Sequence, residues 1–163
     1  VKLYYPDGTI QHAGTIIGVY GVAGHVFRGL YKNTHGYFGR DSHIQNMSAV
    51  TAACMIAKRS VYEQVGYMNE DFAVAFNDID LCMKVRKYGV KIVFTPYAEL
   101  YHYESKSRGL EDTPEKVARF NKEIATFEKK WPEILENGDP YYNPNLTLNN
   151  TDCSLRKQEK NGD

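Results

Sequence analysis

The chain has 163 residues, of which 42% are hydrophobic and 25% charged, as is usual for a globular domain with its own core. Its 20 basic side chains balance 20 acidic ones, which argues against nucleic-acid binding, since such proteins usually carry a basic excess. The three cysteines lack a C-x-x-C spacing, so neither a disulfide framework nor a zinc knuckle is expected, and a reducing compartment is favoured. No apolar run approaches the roughly 18 residues that span a bilayer.

The first predicted element is a hairpin, in which residues 2–5 and 10–19 flank the turn signal Asp7-Gly8. Residues 21–47 are rich in glycine, histidine and tyrosine without periodicity, which predicts a long loop that covers or forms a site. The apolar run at residues 49–58 predicts a buried strand. Because the chain opens VKLYYPDGT without an initiator methionine, we expect it to be part of a longer protein.

Two helices are predicted in the middle of the chain. Residues 60–63 have the spacing of a capping box, and the short helix that they open should stop at Gly66. A second helix should span residues 78–88, with Asn77 as its cap and Gly89 as its stop. One face of this second helix is apolar, formed by Leu81, Cys82, Val85 and Tyr88.

The last third of the chain predicts two strands, a long helix and a tail. The strands cover residues 90–96 and 98–104, and the helix opens with the cap and proline of residues 112–115. This helix should dock on the core through a stripe at spacings of three and four, formed by Val117, Phe120, Ile124, Phe127 and Trp131. From Gly138 onward an extended tail is expected, disordered near its end.

Asp78 is the main candidate for chemistry, and two interpretations of it stay open. In the first turn of a helix, unpaired backbone N–H groups and the helix dipole favour a carboxylate, which explains an acid without any catalysis. The same environment suits a general base that accepts a proton from a hydroxyl group. Asp80 lies about 200° further round the helix, so the two acids should point to different sides and should not bind one metal ion together.

Two further candidates lie at the end of the second predicted strand and in the loop after it. His102 is either a hydrogen-bonded structural residue or a neutral imidazole ligand to a divalent metal. Arg108, with Lys106, lies in a small, basic loop that could close over a diphosphate or could be an ordinary solvated loop. The other four histidines are scattered without ligand spacing and receive no role.

Residues 49–107 resemble the second half of the catalytic domain of inverting, sugar-nucleotide-dependent glycosyltransferases of family 2. That family has a strand, the motif R-x-V-F-E-x-V-G-G-F-D-E, an acidic pair E-D, the motif D-L-C-x-R, a strand and a histidine, in this order. The matching pieces here are residues 59–66 and 68–70, Asn77-Asp78, Asp80-Leu81-Cys82, residues 91–96 and His102. The flanking residues are also similar to members linked to bacterial surface polysaccharide synthesis.

The resemblance implies a fold and a role for each matched residue. It implies an α/β fold in which residues 1–135 form the acceptor-side half of a GT-A (Rossmann-like) domain with a mixed sheet flanked by helices, and residues 136–163 form an extended polar tail. Asp78 then matches the catalytic base and His102 a ligand of the donor's Mn²⁺ or Mg²⁺ ion, while Arg108 contacts the donor diphosphate. Asn77 replaces the family's glutamate and would bind an acceptor hydroxyl without bringing a charge.

The resemblance also implies partners and a location. A nucleotide-sugar donor, a saccharide acceptor and the family's nucleotide-binding N-terminal half are expected partners, and a chain without that half should be inactive and bind sugar nucleotides poorly. The implied location is cytoplasmic, compatible with the inner face of the membrane, and exposed apolar surface could drive self-association. The alternative from another class is a non-catalytic carbohydrate-binding or assembly module that uses residues 21–47.

Overall fold

The structure, a computed structural model, describes residues 1–103 and 113–157. They form a mixed α/β fold with seven short strands, which are β1 (Lys2–Tyr4), β2 (Ile10–His12), β3 (Thr15–Ile17), β4 (Ala23–His25), β5 (Gln45–Met47), β6 (Ile92–Phe94) and β7 (Glu99–Tyr101). The four described α-helices are α1 (Arg59–Gln64), α2 (Asn77–Lys87), α3 (Pro114–Lys130) and α4 (Pro132–Asn137). No helix in these ranges has both the length and the apolar character needed to cross a membrane.

The strands form three small sheets. The largest has the order β2-β1-β7, with β1 antiparallel to β2 and parallel to β7, so it is a mixed sheet. The pairs β3-β4 and β5-β6 are both antiparallel. The predicted first hairpin is confirmed as β1 and β2, and the Asp7 side chain accepts a hydrogen bond from the Thr9 backbone N–H at 2.9 Å within its turn.

The hydrophobic core draws on almost the whole length of the chain. Strands, helices and the C-terminal segment all contribute to it, and its largest fully buried apolar side chains include Tyr4, Ile10, Ile16, Phe27, Met47, Phe94, Phe127 and Leu146. Ile79 in the first turn of α2 belongs to the same core cluster, so the start of α2 is anchored in a core built from distant parts of the chain.

The predicted buried strand at residues 49–58 is wrong. Ala49 and Val50 are buried, but the chain then turns through a 3-10 helix at Ala52–Cys54 and continues along the surface. The Thr51 side chain accepts a hydrogen bond from the Ala53 backbone N–H at 3.2 Å, which caps this turn and competes with a strand. Ile56 is 93% exposed, so the segment presents apolar surface instead of burying it.

Residues 21–47 are largely irregular, as predicted, but they also contain the short strands β4 and β5 and a 3-10 segment at Tyr37–Ser42. Frequent glycines hide the strand pattern here. Several of them adopt the left-handed backbone region that favours glycine, including Gly36 with φ 52° and Gly39 with φ 67°.

The C-terminal ends of α1 and α2 follow the predictions more closely than their N-terminal starts do. Helix α1 begins at Arg59 without a side-chain cap, so the capping box is wrong, whereas the stop at Gly66 is confirmed by its φ of 76°. Helix α2 begins at Asn77 itself, because Phe76 occupies the cap position with a φ of 62°. Its stop at Gly89 is confirmed by a φ of 89°.

The apolar faces of α2 and α3 are only partly buried. Tyr88, predicted on the buried face of α2, is 54% exposed, because it lies beyond the last helical residue. Phe127 near the end of α3 is completely buried, but Val117 and Phe120 in its first half are 44% and 39% exposed. The prediction that the entire stripe docks on the core is therefore wrong for its N-terminal half.

The C-terminal segment, residues 138–157, lacks helices and has a single isolated bridge, between Leu146 and Leu155. It is nevertheless packed, since Leu146 and Cys153 are buried in the core. The buried Asp139 carboxylate accepts hydrogen bonds from the Ile17 backbone N–H at 2.8 Å and the Ser48 hydroxyl at 2.6 Å. These contacts fix the segment to β3 and to the residue that follows β5.

Candidate active site at the start of helix α2

Asp78 lies in the first turn of α2 and is half-buried. One carboxylate oxygen accepts a hydrogen bond from the Ala52 backbone N–H at 3.0 Å, and the other accepts one from the Ile79 N–H at 2.9 Å. Backbone N–H donors and the positive end of the helix dipole favour a negative charge at this position. The carboxylate is therefore held in place by backbone groups while part of it faces solvent.

Asp80 has a different environment on the other side of the helix. It is completely buried, its carboxylate lies 2.7 Å from the Lys130 ammonium group, and the same oxygen accepts a hydrogen bond from the Trp131 indole N–H at 2.8 Å. Lys84, one turn along α2, lies 3.9 Å from the other oxygen. The prediction that the two acids point to different sides is confirmed, and Asp80 links α2 to the end of α3.

Cys82 lies one helical turn after Asp78 and is buried, which agrees with the expectation that Asp78 borders the buried face of α2. Its thiol donates a hydrogen bond to the Val50 carbonyl at 3.7 Å. Burial raises the pKa of this thiol to about 12, so it stays protonated and is not a nucleophile at neutral pH.

Asn77 precedes Asp78 as the first residue of α2 and is half-buried. Its side-chain amide makes no hydrogen bond with any part of the chain that the structure describes. A primary amide both donates and accepts hydrogen bonds, so Asn77 can orient a hydroxyl group next to the Asp78 carboxylate.

His102 lies directly after β7, on the mixed sheet. Its backbone N–H donates to the Tyr4 carbonyl at 2.8 Å, and its ring Nδ1 lies 2.7 to 3.0 Å from the amide atoms of the Gln11 side chain. Among the described residues, no hydrogen bond or ion pair joins His102 to Asp78. One chain of contacts between them runs from His102 to Gln11, then to the neighbouring His12, and from His12 to the turn that contacts Asp78.

Sequence reasoning missed a pair of histidines next to that loop. The buried His12 has its Nδ1 2.8 Å from Nδ1 of His25, and its Nε2 accepts a long hydrogen bond of 3.5 Å from the Thr51 backbone N–H. Burial, and then the nearby His25, lower the pKa of His12 well below its ordinary value, so His12 is neutral at pH 7. His12 ends β2 and His25 ends β4, so the two rings meet through the packing of separate strands, which no local sequence pattern indicates.

His12 and Asp78 thus contact neighbouring backbone N–H groups of one turn, those of Thr51 and Ala52. The turn is held from two sides, by a neutral imidazole and by a carboxylate. This arrangement fixes the position of the Asp78 side chain without using a second charged group.

The described residues alone do not supply enough ligands for the predicted divalent metal ion. No group of three or more histidine, cysteine, aspartate or glutamate side chains that could hold an ion occurs in residues 1–103 and 113–157. His102 is a single imidazole already paired with Gln11, and Arg108 and Lys106 lie outside the described residues.

The chain is similar to longer proteins. It is 56% identical over 156 residues to the uncharacterized protein y4gI of Sinorhizobium fredii, a match that covers 94% of this chain and 17% of that protein. It is 39% identical over 163 residues to the O-antigen biosynthesis protein RfbC of Myxococcus xanthus, covering 99% of this chain and 12% of that protein.

A shorter match is to an enzyme. Over 54 residues, 33% of this chain and 18% of the relative, it is 30% identical to the low-salt glycan biosynthesis hexosyltransferase Agl10 of Haloferax volcanii. No protein-family model matches the chain, and no solved structure does. The chain is therefore similar in sequence to a glycosyltransferase and to a protein of O-antigen biosynthesis, and the matched segment covers less than a fifth of each of these three relatives.

Proposed function

We propose that this chain is the acceptor-side part of a glycosyltransferase catalytic domain within a longer protein of bacterial surface polysaccharide synthesis. The observation that carries this proposal is the Asp78 carboxylate, which two backbone N–H groups hold at the start of α2 while it remains partly open to solvent. The similarity to glycosyltransferases and to an O-antigen biosynthesis protein supports the same class of reaction.

In this proposal Asp78 is the general base. As the acceptor hydroxyl loses its proton to the Asp78 carboxylate, its oxygen forms a bond to the anomeric carbon of the donor sugar. The bond from that carbon to the nucleoside diphosphate breaks, and the diphosphate leaves with the electron pair. Because attack and departure occur on opposite faces, the configuration at the anomeric carbon inverts.

Asn77 is assigned to the acceptor and not to the proton transfer. Its amide can donate to the acceptor oxygen or accept from a neighbouring hydroxyl, which positions the acceptor beside Asp78. His102 and Arg108 stay predictions for the donor side of the longer protein, and so does the divalent ion. The partial GT-A architecture likewise belongs to the proposal, since the observed fold is a mixed α/β fold with small sheets.

Exposed apolar surface close to Asp78 supports the idea that other parts of a longer protein complete the site. The turn that binds Asp78 through Ala52 continues into the segment containing Ile56, which is 93% exposed. Ala52, Ala53 and Ala57 in the same segment are exposed as well, and a contiguous apolar patch can mark a contact with another protein surface. The proposed donor-binding half would cover this segment and bring the nucleotide sugar to Asp78.

A non-catalytic carbohydrate-binding module remains the second candidate. Exposed aromatic rings at Tyr31, which is 69% exposed, and Phe38, which is 86% exposed, favour it, because sugars stack on aromatic faces. These residues belong to the region 21–47 that sequence reasoning singled out.

The test is sugar transfer by the full-length protein. Nucleotide sugars and saccharide acceptors are incubated with it, and we expect release of nucleoside diphosphate that depends on the acceptor, with a product of inverted anomeric configuration in its NMR spectrum. Saccharide binding without release of nucleoside diphosphate would favour the non-catalytic carbohydrate-binding module. A product of retained configuration would rule out single displacement with Asp78 as base.

A further inference from the structure

A cleft of about 670 Å³ lies at the far end of α2 from Asp78. It is formed by the C-terminal end of α2, the chain that leads into β6, and the junction of α3 and α4. Lys87 is nine residues after Asp78, which places this end about 13 Å along the helix axis from the candidate base. The cleft is therefore separate from the proposed reaction centre.

The cleft is strongly basic in a chain whose formal net charge is zero. Its lining contains five cations, namely Arg86, Lys87, Lys91, Lys129 and Lys130, and a single acid, Glu133. Lys130 is already paired with Asp80 at 2.7 Å, and Glu133 offsets a second charge, so an excess of three positive charges remains. Lys87, Lys91 and Lys129 make no ion pair with a described residue.

Two aromatic rings complete the lining. Trp131 and Tyr141 are half-buried, with the Lys130 ammonium group 5.7 Å from a Trp131 ring and the Arg86 guanidinium 5.5 Å from the Tyr141 ring. Arg86 also donates a hydrogen bond to the Ser48 hydroxyl at 3.1 Å, and that hydroxyl donates to the Asp139 carboxylate at 2.6 Å, so the Arg86 guanidinium is held in position without a direct ion pair to a described residue. Cations next to aromatic rings suit a ligand with both a ring and a negative charge.

We propose that this cleft binds a saccharide that carries phosphate or carboxylate groups, and that the oxyanion contacts Arg86, Lys87 and Lys91 while a sugar ring lies against Tyr141. Arginine and lysine form their strongest hydrogen bonds with such oxyanions. A cleft lined by one sign of charge also concentrates ligands of the opposite sign. This inference rests on the proposed function in one respect, namely that the anionic groups belong to a saccharide.

The experiment measures binding to the full-length protein by calorimetry at low salt. The probes are an oligogalacturonate hexamer for carboxylates, pyrophosphate for phosphates, uncharged maltohexaose, and vesicles of phosphatidylglycerol. We expect one or both soluble anions to bind more tightly than maltohexaose. The double variant Lys87→Glu, Lys91→Glu should weaken that binding by at least about tenfold.

A matched control reverses the same number of charges outside the cleft, at the exposed Lys58 and Lys122. The double variant Lys58→Glu, Lys122→Glu should leave binding unchanged, whereas Tyr141→Ala should weaken binding of a bound oligogalacturonate but not of pyrophosphate. The proposal would be overturned if the two double variants lost anion binding equally, if neither soluble anion bound, or if the protein bound only the vesicles. Asp78→Asn should bind the anions normally, so loss of transfer and loss of this site can be told apart.

Discussion

Replacing Asp78 with asparagine in the full-length protein should lower sugar transfer by about 10²- to 10⁴-fold, the usual contribution of a positioned general base. Asparagine has nearly the same shape and keeps an oxygen that can accept the hydrogen bond from the Ala52 N–H. It cannot accept the proton of the acceptor hydroxyl. We therefore expect kcat to fall while donor binding, measured by calorimetry, stays within about twofold.

Glu70→Gln is the matched control for this variant. Glu70 is an exposed acid in the connection between α1 and α2, and the substitution removes the same charge with the same change of group. Transfer by Glu70→Gln should match that of the unaltered protein. If Asp78→Asn retained more than about a tenth of the transfer rate, Asp78 would be a structural residue of the helix start and no base.

Replacing Asp80 with alanine should lower the free energy of unfolding by about 3 kcal/mol. The change leaves Lys130 without its carboxylate and the Trp131 indole N–H without its acceptor, at a position that is completely buried. Lys130 keeps 34% of its side chain exposed and can regain some hydration, which keeps the loss at the lower end of values for broken buried pairs. Denaturant unfolding followed by fluorescence measures it.

Two variants make the Asp80 result specific. Asp71→Ala removes an exposed acid in the connection between α1 and α2 and should change the free energy of unfolding by less than about 0.5 kcal/mol. Trp131→Phe removes only the indole donor, so it should cost less than Asp80→Ala, and combining the two should cost less than their sum. A loss below about 1 kcal/mol for Asp80→Ala would show that the contact of α2 with α3 does not depend on this carboxylate.

Local signals in the sequence predicted the helix that carries the candidate site. The apolar spacing in α2 and the glycine after it fix the length of the helix, and 3.6 residues per turn place Asp78 and Asp80 on different sides. These features depend on residues within one or two turns. The first hairpin was predictable for the same reason, since Asp7-Gly8 joins two neighbouring strands.

Features that depend on contacts between residues far apart in sequence could not be predicted from local sequence patterns. The apolar composition of residues 49–58 indicates contact with some surface, but it does not say whether that surface belongs to the described residues. The His12–His25 pair exists because of strand pairing, and the burial of Asp80 depends on Trp131, which is 51 residues away. The exposed first half of the α3 stripe shows the same limit, because a periodic apolar face does not identify the surface that it meets.

Asp78 is proposed to accept a proton from an incoming hydroxyl group. The most direct measurement is a crystal structure of the full-length protein with its saccharide acceptor and an unreactive analogue of the nucleotide sugar. If Asp78 is the base, the reacting hydroxyl oxygen should lie about 2.6 to 3.2 Å from an Asp78 carboxylate oxygen and within reach of the anomeric carbon. An acceptor bound elsewhere, with Asp78 contacting only the backbone of Ala52 and Ile79, would contradict it.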